Sequence, residues 1–147
     1  MLMGNRKGFT LIEIMLVIAL MVLISSISVP VYQSFQVKND LEASSNDLVQ
    51  SLRRAQVLSQ ANEGDSTWGV KILSGGIVVF KGASYSARDV AYDEVFEIAT
   101  SIVSSGISEV VFGKLSGLPQ TSGDIILTTS NGDVRTISIN IKGIIEY

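Results

Sequence analysis

The chain has 147 residues, 46% of them apolar, with eleven basic and fourteen acidic residues and a formal charge of −3. It has no histidine and no cysteine, which excludes His-based triads, thiol nucleophiles, the usual zinc ligand sets and any disulfide staple. The length suits one small domain plus an anchor rather than two globular domains, and the acidic balance repels nucleic-acid phosphate overall.

The first element is an almost uncharged apolar run behind Arg6, Lys7 and Gly8. It extends from Ile14 to Ile24, loosely to Val31, near the minimum for a bilayer core of about 30 Å. Glu13 stands at its edge. Insertion scales charge roughly 2.5–3.5 kcal/mol for an ionised side chain at a helix centre, so intramembrane carboxylates are usually functional. Two plainer readings fit the apolar run. An ordinary secretory signal, with Ser25, Ser26 and Ser28 as its small-residue cleavage region, leaves Glu13 unexplained. A simple uncleaved anchor leaves it unexplained too.

From Phe9 to about Asn62 the pattern predicts one long helix. Its first half (9–32) is apolar nearly all round, as a lipid-facing or bundle-core helix is. Pro30 removes a backbone donor and is expected to kink it. Its second half (33–64) turns polar, with Val37, Leu41, Leu48, Leu52 and Ala55 recurring along one face. Glu63-Gly64-Asp65 ends the pattern. About 54 helical residues span roughly 80 Å, more than an eighty-residue domain can bury. Half is therefore expected to protrude, as an assembly tail would.

Residues 65–147 read as a globular β domain. Trp68–Leu73 and Ile77–Lys81 flank Ser74-Gly75-Gly76, a hairpin signal. Val95–Ala99 and Ile107–Phe112 are further strand candidates, while Gly82–Asp93 and Gly113–Gly123 read as loops. Ile125–Thr129 and Val134–Ile141 flank Ser130-Asn131-Gly132-Asp133, in which Asn-Gly is the preferred pair for a tight two-residue turn. In the second strand Ile137, Ile139 and Ile141 are expected to face the core. Gly143 then permits a bend before Ile144–Tyr147. The fold class expected is α+β, a long helix packed on a small, mostly antiparallel sheet.

No Gly-x-Ser-x-Gly elbow is present, and no enzymatic activity is expected. Asp89, Asp93, Glu94 and Glu97 form an acidic cluster without the spacing of a calcium loop; it reads as a solvated face. Arg53-Arg54 is the only basic doublet outside the first eight residues. No metal and no cofactor is expected.

The string Gly8-Phe9-Thr10-Leu11-Ile12-Glu13 behind a short basic leader resembles the processing and assembly site of type IV pilins and type II secretion pseudopilins. The resemblance implies a leader (1–8) cut after Gly8 by a prepilin peptidase and N-methylation of Phe9. It implies subunit docking guided by Glu13, with Phe9 and Thr10 in the same assembly site. Removing Arg6 and Lys7 with the leader leaves nine basic against fourteen acidic residues, −5. The resemblance further implies a single-pass protein of the inner (cytoplasmic) membrane that enters an extracytoplasmic filament. Its partners would be other pilin subunits, reached through the N-terminal helix, and an assembly platform. Many pilins of this family close a C-terminal disulfide loop; this chain has no cysteine to do so.

Phe112-Gly113, Gly117, Gly123-Asp124-Ile125, Gly132, Arg135 to Ile139 and Gly143 resemble the globular domain of the H-type minor pseudopilins and their fimbrial T relatives. A minor pilin or pseudopilin is therefore the expected role. The alternatives are a filament-tip binding module (an adhesin or a DNA-uptake receptor) and a major pilin. Some fimbrial T relatives bind DNA through C-terminal arginines, where this chain reads Lys142-Gly143-Ile144-Ile145-Glu146. Nucleic acid is accordingly not expected as a partner.

Overall fold

The computed structural model describes residues 8–147, apart from the side chains of residues 27–30. The leader through Lys7 lies outside the described residues, while the helical backbone continues through Pro30, where a kink is expected. The chain divides into two compact units between Gln36 and Val37. One helix, α1, runs from Leu11 to Gln60 and contributes to both.

In the first unit, α1 is long and apolar enough to cross a membrane, with a mean hydropathy of 2.7 over its most apolar 18-residue window. None of that window is buried. Ser25 and Ser26 turn their hydroxyls back onto the carbonyls of Met21 (2.7 Å) and Leu23 (2.8 Å). Their polar atoms are thereby satisfied within the helix, which an apolar surrounding demands.

In the second unit, the remainder of α1 lies on two four-stranded sheets. The first has the order β3-β2-β1-β5, from β1 (Trp68–Leu73), β2 (Gly76–Lys81), β3 (Asp89–Glu97) and β5 (Glu109–Phe112). The second has the order β4-β6-β7-β8, from β4 (Ile102–Gly106), β6 (Gly123–Thr129), β7 (Val134–Ile139) and β8 (Ile145–Glu146). Every pairing within them is antiparallel. The fold is thus α+β, as expected, with two sheets in place of one.

Leu41, Leu48, Leu52 and Ala55 are buried, as the helical period requires, and meet Val70, Ile72, Ile77, Val79, Ile125, Leu127, Ile137 and Ile139 in one core. Between the leucines the buried face is filled by Ser44, Ser45 and Ser51, and Ser59 extends it past Leu52. Small side chains there let the sheets approach the helix closely. Ser59 secures the helix end. Its hydroxyl accepts from Trp68 N (2.9 Å) and reaches the Phe112 carbonyl (3.1 Å), while its own carbonyl accepts from Leu115 N (2.9 Å). Asn62, at φ 56°, turns the chain out of the helix in the left-handed conformation that asparagine tolerates.

Several boundaries differ from the sequence expectation. The Ser74-Gly75 turn does join β1 to β2, with Leu73 opposite Gly76. The second hairpin is not a two-residue turn. Thr129 N donates to Asp133 O (2.9 Å), leaving Ser130, Asn131 and Gly132 as a three-residue loop with Gly132 at φ 86°. Such a loop needs one left-handed position, and glycine supplies it. β3 starts at Asp89, inside the expected loop, and stops before Ala99. β4 has no counterpart among the expected strands. β7 ends at Ile139, and Ile141 is 74% exposed instead of buried. The Asn140 carboxamide oxygen accepts from Lys142 N (2.9 Å) and Ile144 N (3.0 Å), folding residues 140–144 into a turn that carries Ile141 off the core face.

Candidate assembly site at the helix N-terminus

The helix begins on a reciprocal cap. Glu13 N donates to Thr10 Oγ1 at 3.3 Å, and Thr10 N donates to Glu13 Oε2 at 3.4 Å. Thr-x-x-Glu is the capping-box spacing, which satisfies two of the four backbone donors that the first helical turn leaves open. Glu13 also sits where the helix macrodipole favours negative charge. The signal for it lies in the sequence, in the spacing of Thr10-Leu11-Ile12-Glu13, beside the docking role expected of Glu13. The cap gives Glu13 a local duty as well.

The residues expected to act together are close in the chain and exposed. Phe9 is 80% exposed, and Thr10 and Glu13 are exposed beside it. Glu13 Oε1 has no hydrogen bond among the described residues. A Cβ added at Gly8 would meet nothing within 4 Å among the described residues. Their packing therefore sets no demand for glycine there.

The other candidate residues separate. Arg53 lies over the Tyr147 ring (5.8 Å), whereas Arg54 makes a two-pronged ion pair with Glu94 at 2.6 Å. The doublet therefore splits to two partners instead of forming one basic patch. Within the acidic cluster, Asp93 is held by Arg88 (2.8 Å) and Glu94 by Arg54. Among the described residues no group of three acidic side chains is placed to hold a metal ion.

Residues 3–29 match the family model described as the prokaryotic N-terminal methylation motif. The chain is 28% identical over 108 residues to two fimbrial proteins of Pseudomonas aeruginosa; the match spans 74% of this chain and 60% of each of them. It is 29% identical over 140 residues to fimbrial protein EcpC of Eikenella corrodens, spanning 92% of this chain and 90% of that one. The chain thus spans less than two thirds of the length of the two Pseudomonas relatives. No solved structure matches. The chain carries the N-terminal methylation motif and is similar to fimbrial proteins over most of its length.

Proposed function

We propose that the chain is a structural subunit of a type IV pilus-like or type II secretion pseudopilus filament, in a minor pilin or pseudopilin role. The observation that carries this is the exposed Phe9–Thr10–Glu13 cap heading an unburied apolar helix within the methylation motif. A prepilin peptidase cuts after Gly8 and methylates Phe9. The precursor is a single-pass inner-membrane protein, and an assembly platform draws it into an extracytoplasmic filament.

Cleavage turns the Phe9 amide into an ammonium one residue from Thr10, whose N–H already reaches Glu13. Glu13 then keeps Oε2 on the cap and offers Oε1 to an ammonium, its own or a neighbour's. Two unit charges 4 Å apart attract by about 4 kcal/mol at an effective dielectric near 20. That attraction offsets the desolvation of both groups and fixes axial register, while the apolar helices exchange lipid for one another. The relatives named above are fimbrial proteins, in keeping with a structural and non-enzymatic role.

The test is the ratio of protein in sheared filaments to protein in membranes, for the parent chain and for Glu13→Ala. A steep fall for the variant, with leader removal intact, supports the reading. Equal ratios sink it.

A further inference from the structure

Two exposed surfaces of the Val37–Tyr147 unit complement each other and cannot meet within one chain. The first is the 140–144 turn. Its tip presents Ile141, 74% exposed, and Lys142, whose ammonium has no partner among the described residues. The turn is rigidly held. Gly143 N donates to Asn140 O (2.9 Å), Asn140 caps it internally, and Gln56 Nε2 donates to the carbonyls of both Gly143 and Gly117 at 3.0 Å. A preorganised apolar knob loses little entropy on docking.

The second surface is β3, one of the two edge strands of its sheet. Val95 is 65% exposed, and Glu97 lies two residues on, hence on the same face. Glu97 likewise has no partner among the described residues. One surface pairs an exposed isoleucine with a free cation, the other an exposed valine with a free anion.

Their positions on the helix keep them apart. Arg54 grips β3 through Glu94, and Gln56 grips the turn through Gly143. Residues two apart on a helix point about 200° from each other. The surfaces therefore lie on opposite flanks of α1. A contact between unlike patches on opposite flanks is heterologous, so it links each copy to two neighbours, in a ring or an open filament, instead of closing a symmetric pair.

We infer that the Ile141–Lys142 turn of one copy seats on the Val95–Glu97 face of β3 in a second copy of this chain. The contact rests on the filament reading above and requires copies of this chain to lie next to one another there, which a minor subunit does only where it forms a run; it names the head-to-head surface that reading leaves open. Ile141 covers the valine, and Lys142 pairs with Glu97.

The chain's lack of cysteine makes the test clean. Val95→Cys and Ile141→Cys are placed together in the full-length chain, oxidised in membranes and in sheared filaments, and run without reductant. A ladder of dimers, trimers and longer products is expected, because a disulfide forms only where Cα atoms come within about 7 Å. Each single variant stays monomeric, and the two single variants co-expressed give dimers only. Glu97→Lys in the double-cysteine chain cuts the yield roughly threefold or more, and adding Lys142→Glu restores it.

Absence of the ladder from both fractions overturns the contact. Dimers from either single variant overturn it as well, since they report a symmetric pair. So does an equal ladder when Val103→Cys, on β4 and 67% exposed, replaces Val95→Cys. Filaments without a ladder sink the contact and leave the filament reading standing. A membrane ladder without filaments does the reverse.

Discussion

Thr10 and Glu13 close on each other across three residues, each side chain accepting from the other's backbone N–H. The carboxylate therefore holds the first turn of the helix before any neighbour arrives. Cap and charge are separable by substitution. Glu13→Gln keeps the cap, since glutamine serves at that position, but loses the charge. Thr10→Ala keeps the charge and loses half of the cap, at about 1 kcal/mol of helix-end stability. Filament incorporation is expected to fall most for Glu13→Ala, by an intermediate amount for Glu13→Gln, and least for Thr10→Ala. The ratio of filament to membrane protein is the readout, with cleavage scored in parallel. If glutamine assembles like glutamate while Thr10→Ala fails, the cap is the whole function of Glu13.

Processing is expected to leave Phe9 as the mature N-terminus, carrying one N-methyl group. Intact mass and N-terminal sequencing of protein from native membranes decide it. Gly8→Ala should slow or block cleavage. Among the described residues a side chain at Gly8 has open space around it, so a defect reports on the peptidase and not on the packing of the fold. A mature start after Ser28, or a leader retained on all of the protein, overturns the assignment.

The long helix, its buried leucines and the strands around Ser74-Gly75 and Asn131-Gly132 were legible because hydrophobic period and turn residues agree there. β4 was not. Ile102-Val103-Ser104-Ser105-Gly106 lacks apolar alternation, and its pairing with β6 comes from tertiary context. The start of β3 is hidden for a similar reason, since Asp89 to Asp93 fall in the stretch expected as a loop and their carboxylates read as a solvated face. Ile141 continued the isoleucine period of β7 on paper, yet Asn140 ends the strand with its own side chain. At the assembly site the residues were readable and one interaction was missed. The capping box is local chemistry, and it lay inside a string already given another meaning.

The carboxyl of Asp65 is held below the usual aspartate value of 3.8 by the Lys114 ammonium and then by the Asn62 carboxamide. A depressed folded value contributes stability above the unfolded one, and that stability is lost as pH falls through the folded one. The Tm difference between the parent and Asp65→Asn is therefore expected to be present near neutrality and to shrink below about pH 4. A difference independent of pH rules out the ionised pair as its origin.

Removal of residues 1–36 is expected to leave a soluble, cooperatively folding unit, because Val37–Tyr147 is compact and holds the whole buried core. Its unfolding should not respond to reductant, as the chain has no thiols. Within this fragment Leu48→Ala should cost about 2–5 kcal/mol, the usual range for a fully buried leucine. Denaturant titration measures both. A molten or aggregated fragment would place part of the core in the deleted segment.

Gly143→Ala is expected to be strongly destabilising. Gly143 sits at φ 78°, a conformation strained for alanine. The added Cβ would also come 2.4 Å from Gln56 Nε2 and 3.1 Å from the Gly117 carbonyl. Gln56 must then move, and its two hydrogen bonds to the Gly117 and Gly143 carbonyls go with it. Left-handed strain and a broken side-chain bridge together suggest a loss of about 2–4 kcal/mol. Gln56→Ala removes the bridge without the strain and should cost about 1–2 kcal/mol. In Gln56→Ala, Gly143→Ala should then cost less than it does alone, because the clash partner is gone. The double-mutant cycle in urea measures that coupling. Fully additive losses would show that backbone strain, not the Gln56 contact, governs this turn.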